Sequence, residues 1–179
     1  MTRAGGGCWR QATFWPFYYT SKFGRGLSLR PSIDGAAAGT ASDGAMQHPF
    51  LVLAVVMAPE RDEVRIFAVN RHLREEIDFE LAVGGMLLAA GAAIGAKEAG
   101  GAGSGGGGGV SADGGVVEWV ELRHDQLSAT NTEEAPDKVR PRSRDGATVG
   151  ANGGVVRAKL APASWNMLRV RVRVPVEVG

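Results

Sequence analysis

"FLVLAVVMAPERDEVRIFAVNRHLREEIDFELAV", Phe50–Val83, is the stretch whose reading decides the fold. "FLVLAVVM" is a near-continuous apolar run with three valines, suited to a strand buried on both faces. In "EVRIFAVNR", Val64, Ile66 and Ala68 fall on one face and Phe67 and Val69 on the other, with Asp62 and Glu63 marking the turn before it. "EEIDFELAV" alternates Ile77, Phe79 and Leu81 with Glu76, Asp78 and Glu80, so one face is apolar and the other carboxylate. Asn70 to Arg74 is expected to join the last two strands as an antiparallel hairpin. The carboxylates at i, i+2 and i+4 could bind a cation, but a solvated strand face explains them with fewer assumptions.

β character returns at "VVEWVEL" (Val116–Leu122) and in "GVVRAKLAPASWNMLRVRVRV", two strands separated by a turn near Pro162. Arg169, Arg171 and Arg173 alternate with valines there. A charged outer face that resists aggregation is preferred to a nucleic-acid stripe, because no stacking aromatics are interleaved and the net charge is +1. Between these strands, "HDQLSATNTEEAPDKVRPR" (His124–Arg142) is polar, carries two prolines and lacks helical periodicity, which reads as an ordered loop. The fold expected from the residues alone is all-β: an antiparallel β-sandwich of roughly seven or eight strands.

Three segments stand outside that pattern. Residues 32–47 are small and polar, a linker. The insertion at 88–115 contains "GGAGSGGGGG" and cannot bury enough apolar surface to offset the entropy of ordering, so it is expected to be disordered. Its G-x-G-x-x-G match is what any polyglycine provides, and no G-K-[ST] accompanies it. Residues 1–31 hold "WRQATFWPFYYTSKFGRG" (Trp9–Gly26), in which Phe14, Trp15, Phe17, Tyr18, Tyr19 and Phe23 are half of the chain's twelve aromatics. This segment is expected to be irregular, and to cover something or to line a site.

Solo catalysis finds no constellation. His48, His72 and His124 lack metal-ligand spacing, so no metal site is assigned. Ser21 and Ser164 lack a G-x-S-x-G elbow, and Cys8 has no evident base beside it. That single cysteine excludes a disulfide framework. No apolar run approaches the eighteen or so residues that span a bilayer, and no secretory signal is visible. The expected setting is cytoplasmic, without membrane or nucleic-acid partners and without a cofactor.

Four ordered motifs carry a resemblance. Phe67–Arg71 ("FAVNR"), Asp125–Thr132 ("DQLSATNT"), Pro136–Pro141 ("PDKVRP") and Leu160–Arg169 ("LAPASWNMLR") closely resemble the C-terminal domain of glycoside hydrolase family 51 α-L-arabinofuranosidases. The opening "W-R-Q … P-F … S-K-x-G-R-G" of Trp9–Gly26 resembles the stretch where the family's chain leaves its catalytic barrel. Tyr19, Trp15 and Ala12 depart from the His, Tyr and Thr common there.

The resemblance implies a jelly-roll-like sandwich over 48–174, interrupted at 88–115, and a segment 1–31 that walls the barrel's sugar pocket. It assigns Gln11 to the arabinofuranose ring, on condition that a barrel is present. It implies hydrolysis of terminal non-reducing α-L-arabinofuranosides, in L-arabinose metabolism, by a retaining enzyme with two glutamates about 5–5.5 Å apart. Those lie on a (β/α)₈ barrel of about 250 residues, whereas the first glutamate here is Glu60, already in the sandwich. No catalytic residue is therefore assigned, and the chain alone is expected to be inactive. The implied partners are the barrel of the parent enzyme and an arabinofuranosyl saccharide, and the resemblance is compatible with a homo-oligomer. The family's sandwich also borrows a strand from the far N-terminus of the full enzyme, which implies an unprotected sheet edge. Two alternatives remain at this point: a stand-alone carbohydrate-binding or protein-interaction module, and a truncated gene product without function.

Overall fold

The computed structural model describes residues 5–31, 50–60, 62–83, 115–150 and 155–171. The low-complexity tract expected at 88–115 and the linker at 32–47 lie, but for Gly115, outside the described residues.

Nine strands and one α-helix make up the described residues. The helix α1 is Phe14–Phe23; the strands are β1 (Leu27–Leu29), β2 (Leu51–Met57), β3 (Glu63–Asn70), β4 (Ile77–Ala82), β5 (Val116–Leu122), β6 (Arg142–Ser143), β7 (Thr148–Val149), β8 (Val155–Leu160) and β9 (Ser164–Arg171). A six-stranded sheet in the order β1-β2-β3-β9-β5-β6 faces a three-stranded sheet in the order β4-β8-β7, and the paired neighbours are antiparallel. The fold is an all-β sandwich, as the alternation of the strands implies. It exceeds the expected strand number because two-residue strands such as β6 and β7 are too short to show a period.

The core lies between the sheets. Val55, Met57, Val64, Ile66, Ala68, Trp119, Leu168 and Val170 from one sheet meet Phe79, Val156, Ala158 and Leu160 from the other. Ile66, Leu160 and Leu168 have no solvent exposure, and burying each such side chain contributes about 1.5–3 kcal/mol. The alternate residues of the large sheet's middle strands point the other way. There Val56, Phe67, Val120 and Met167 form a second cluster with Phe23 of α1. This explains why β3 reads as apolar on both faces: it is covered by a sheet on one side and by the helix on the other.

Four expectations need correction. β4 is not the hairpin partner of β3; it pairs with β8 in the opposite sheet, while β3 lies between β2 and β9. The connection turns a corner because Asn70 stitches it, its Nδ2 donating to the carbonyls of Glu75, Leu160 and Ala161 and its Oδ1 accepting from His72 N. Second, β2 is buried on both faces only over Val55–Met57; Val52 is 44% exposed because the cover reaches only the Val56 end. Third, Glu63 is the first residue of β3 and is buried, not a turn residue. Fourth, the aromatic segment is helical over Phe14–Phe23 where an irregular run was expected. Pro16 falls in the first helical turn, where its missing N–H costs nothing. Gly24 closes the far end by donating to Thr20 O at 2.7 Å.

Beyond α1, the chain enters the large sheet through Gly26, whose φ is 141°. A Cβ there would overlap the Met57 carbonyl oxygen, so β1 can lie against β2 only with glycine at this position.

Candidate functional site

The N-terminal segment meets the body of the protein at two places. The first is α1 on the outer face of the large sheet. Phe23 is 8% exposed; it stacks on Tyr19, which in turn touches Trp165. Beneath Phe23 lies a charge lattice. Glu63 accepts from Arg65 Nε at 2.7 Å and from Arg169 Nε and Nη2 at 3.0 and 2.7 Å, and Arg169 Nη1 donates to Glu118 at 2.9 Å. The Arg169 and Arg65 guanidiniums lie 4.6 and 5.6 Å from the centre of the Phe23 ring, within cation–π range.

Burial pushes the Glu63 carboxyl up, but the hydrogen bonds and charges of Arg169 and Arg65 outweigh it and hold the group below its ordinary value. Arg169 is raised, chiefly by its bonds to Glu63 and, against desolvation, to Glu118. The arginine stripe is therefore not one exposed face. Arg169 is paired and covered and Arg171 is exposed, while Arg173 lies outside the described residues.

The second meeting place is the loop after β5. Asn131 is 2% exposed. Its Nδ2 donates to Arg10 O at 2.7 Å and to Val139 O at 2.9 Å, and its Oδ1 accepts from Val139 N at 2.6 Å. The Asn131 carbonyl accepts from Trp9 Nε1 at 3.0 Å and from Gln11 Nε2 at 2.9 Å. Gly7 N donates to Glu133 Oε1 at 3.0 Å, extending the same seam. The expected ordered loop is thus ordered by contact with the N-terminal segment.

Gln11, the residue singled out by resemblance, is half-buried beside Trp9, at the foot of α1. Phe14 N donates back to its carbonyl at 3.0 Å. The six clustered aromatics divide. Tyr19 and Phe23 face the sheet, whereas Phe14, Phe17 and Tyr18 are 39%, 76% and 42% exposed. Positions i, i+3 and i+4 of a helix share one face, so α1 presents a contiguous aromatic strip to its surroundings. Arg10 lies 5.2 Å from the Phe14 ring centre and 5.5 Å from that of Trp15. The strip is aromatic and cationic, with no acidic residue in the first turn of the helix.

The remaining candidates are placed elsewhere. Asp78 and Glu80 pair with Lys159 and Arg157, each at 2.9 Å, across β4 and β8. His72 Nδ1 accepts from Glu75 N and His124 Nδ1 from Gln126 N, so both serve their own loops; His48 is outside the described residues. Among the described residues no three His, Cys, Asp or Glu side chains gather as a metal site. Ser164 Oγ donates to Ala161 O at 2.6 Å inside the β8–β9 corner, and Cys8 is exposed. The sequence offered no sign that Asn131 is buried, and it placed Glu63 in a turn. Asn131 sits inside a recognised motif, but an asparagine in a polar loop carries no local mark of burial.

The sequence profile of the α-L-arabinofuranosidase C-terminal domain matches residues 1–164, and the chain belongs to that family. It is 32% identical over 169 residues to an intracellular exo-α-(1→5)-L-arabinofuranosidase of Streptomyces lividans, covering 94% of the chain and 21% of that protein. Over 172 residues it is 30% identical to an exo-α-(1→6)-L-arabinofuranosidase of Bifidobacterium longum, covering 96% and 28%. A solved family 51 α-L-arabinofuranosidase from Bifidobacterium longum superposes with a TM-score of 0.67 at 24% identity, over 94% of this chain and 27% of that one. The chain thus spans between a fifth and just over a quarter of these relatives, and the matched part is their C-terminal domain.

Proposed function

We propose that this chain serves as the accessory sandwich of an α-L-arabinofuranosidase that releases terminal non-reducing α-L-arabinofuranosyl residues. In this reading the exposed aromatic strip of α1 docks on the catalytic barrel, and Gln11 stands at the rim of the sugar pocket. The segment 1–31 is the barrel exit, and 48–174 the sandwich. The observation that carries the proposal is the strip itself: Phe17 is 76% exposed on the helix that follows half-buried Gln11, in a family of glycosidases. Aromatic faces suit the C–H surface of a sugar or an apolar partner, and an amide suits its hydroxyls. The two catalytic glutamates belong to the barrel, so the chain supplies no nucleophile. Relatives from Streptomyces lividans and Bacillus subtilis are named intracellular, which supports a cytoplasmic location.

The test is co-purification with a family catalytic barrel, followed by hydrolysis of an aryl α-L-arabinofuranoside. The chain alone is expected to show no turnover and to gain it only in the complex. Phe17→Asp is expected to abolish co-purification while leaving the sandwich folded, because the ring makes little contact within the chain. Turnover by the chain alone, or an unchanged complex with Phe17→Asp, would sink the proposal.

A further inference from the structure

The seam between residues 7–11 and the loop after β5 is more specific than docking requires. Two side chains from the N-terminal segment, Trp9 and Gln11, converge on one carbonyl, that of Asn131. The Asn131 side chain meanwhile grips the backbone between them, at Arg10 O, and ties itself to Val139 through both a donor and an acceptor. The side-chain amide therefore uses both its donor and its acceptor, at distances of 2.6–2.9 Å, at a residue only 2% exposed. A buried amide held in this way has one orientation. The carbonyl of the same residue then has one direction too, and with it the amide plane of Gln11 and the indole plane of Trp9.

We infer that Asn131 is the positioning residue for Gln11 and Trp9, so that the sandwich loop, not the barrel, sets the orientation of this wall of the sugar site. The inference rests on the proposed sugar contact of Gln11. It touches no reacting atom: Asn131 acts by fixing the rotamer of the residue that meets the sugar, and a contact displaced by about 1 Å can lose about a hundredfold in rate.

The clip is tested first on the chain itself, by the solvent exchange of the Trp9 Nε1 and Gln11 Nε2 protons followed by nuclear magnetic resonance. Asn131→Asp keeps the acceptor toward Val139 N and removes the donors toward Arg10 O and Val139 O, so the loop retains part of its own support. Exchange of both side-chain protons is expected to accelerate by about tenfold or more, the ratio equivalent to losing the one bond that ties Asn131 to Arg10 O. Backbone amides of β3 and β9 should stay protected. Unchanged exchange at Trp9 and Gln11 overturns the inference. Should Asn131→Asp unfold the chain, Asn131→Ser, which is shorter and uncharged, is measured in the same way with the same expectation.

The second measurement is kcat/KM toward an aryl α-L-arabinofuranoside in the complex with the barrel. Gln11→Ala and Asn131→Asp are each expected to lower it by about tenfold, and the double variant should be no worse than Gln11→Ala alone. Additive losses would make Asn131 a structural residue only and overturn the inference, while leaving the Gln11 contact standing. Full activity in Gln11→Ala would overturn both the sugar contact and the positioning role.

Discussion

At the scale of single residues, two buried polar side chains carry more of this fold than their composition suggests. Asn70, 1% exposed, bridges three carbonyls and one amide at the corner where β3 leaves for the other sheet. Asn70→Ala strands those carbonyls and is expected to cost about 2–3 kcal/mol in urea unfolding. At the far end of the same strand, Glu63 is ionised against Arg65 and Arg169. Its folded value is lowered, so its contribution is complete above the unfolded glutamate value of about 4.3 and is lost as the pH falls through the lowered one. Stability measured against pH should therefore fall on acidification below about 4.3. Glu63→Gln should be less stable at pH 7, by about 2 kcal/mol, the worth of a hydrogen bond to a charged group, and flatter below pH 4. The burial of these residues was not legible in the sequence, which put Glu63 in a turn and Asn70 at the start of a hairpin loop, because burial of a polar group depends on the partner segments: Asn70 needs Leu160 and Ala161, about ninety residues away. The apolar residues were legible, since Val64, Ile66 and Ala68 repeat with the period of a strand and are found facing one core.

At the scale of elements, α1 is the instructive one. Its apolar residues run almost all round, so the sequence shows no amphipathic stripe to announce a helix. Only the fold divides the two faces, because the outer surface of the large sheet receives Tyr19 and Phe23 and leaves Phe14, Phe17 and Tyr18 outside. Phe23→Ala is expected to cost about 3 kcal/mol, with the cation–π contacts of Arg169 and Arg65 lost as well. Phe17→Ala should stay within about 0.5 kcal/mol of the parent by chemical denaturation, as an exposed position does. Gly26→Ala, just beyond the helix, should destabilise by more than about 1 kcal/mol, since its φ of 141° and the Met57 carbonyl leave no room for a methyl group. β4 shows the limit of reading by order. Its alternation was plain, but its pairing with β8, not β3, depends on a corner that no period encodes.

At the scale of the whole molecule, the strands β3, β9 and β5 form the centre of the large sheet and contribute to both hydrophobic clusters. Ahead of β1, the described N-terminal segment meets the body of the protein mainly through Phe23 and Tyr19 and through the seam at Asn131 and Glu133. Native-state hydrogen exchange should therefore show α1 opening at a lower free energy than β3 and β9, as elements with fewer buried contacts do. Among the described residues, β4 is an edge strand of the three-stranded sheet. The sequence by itself determined the all-β class, the strands that make the core and the membership in the arabinofuranosidase C-terminal family. Alternation and ordered motifs are local properties, readable along one chain. The tertiary structure alone decided that the aromatic segment is a helix with one covered and one open face, that β3 and β4 part into different sheets, and that Asn131 joins the N-terminus to the loop. Each of those outcomes rests on contacts between segments distant in sequence, and their free energy exists only once the sheets have packed.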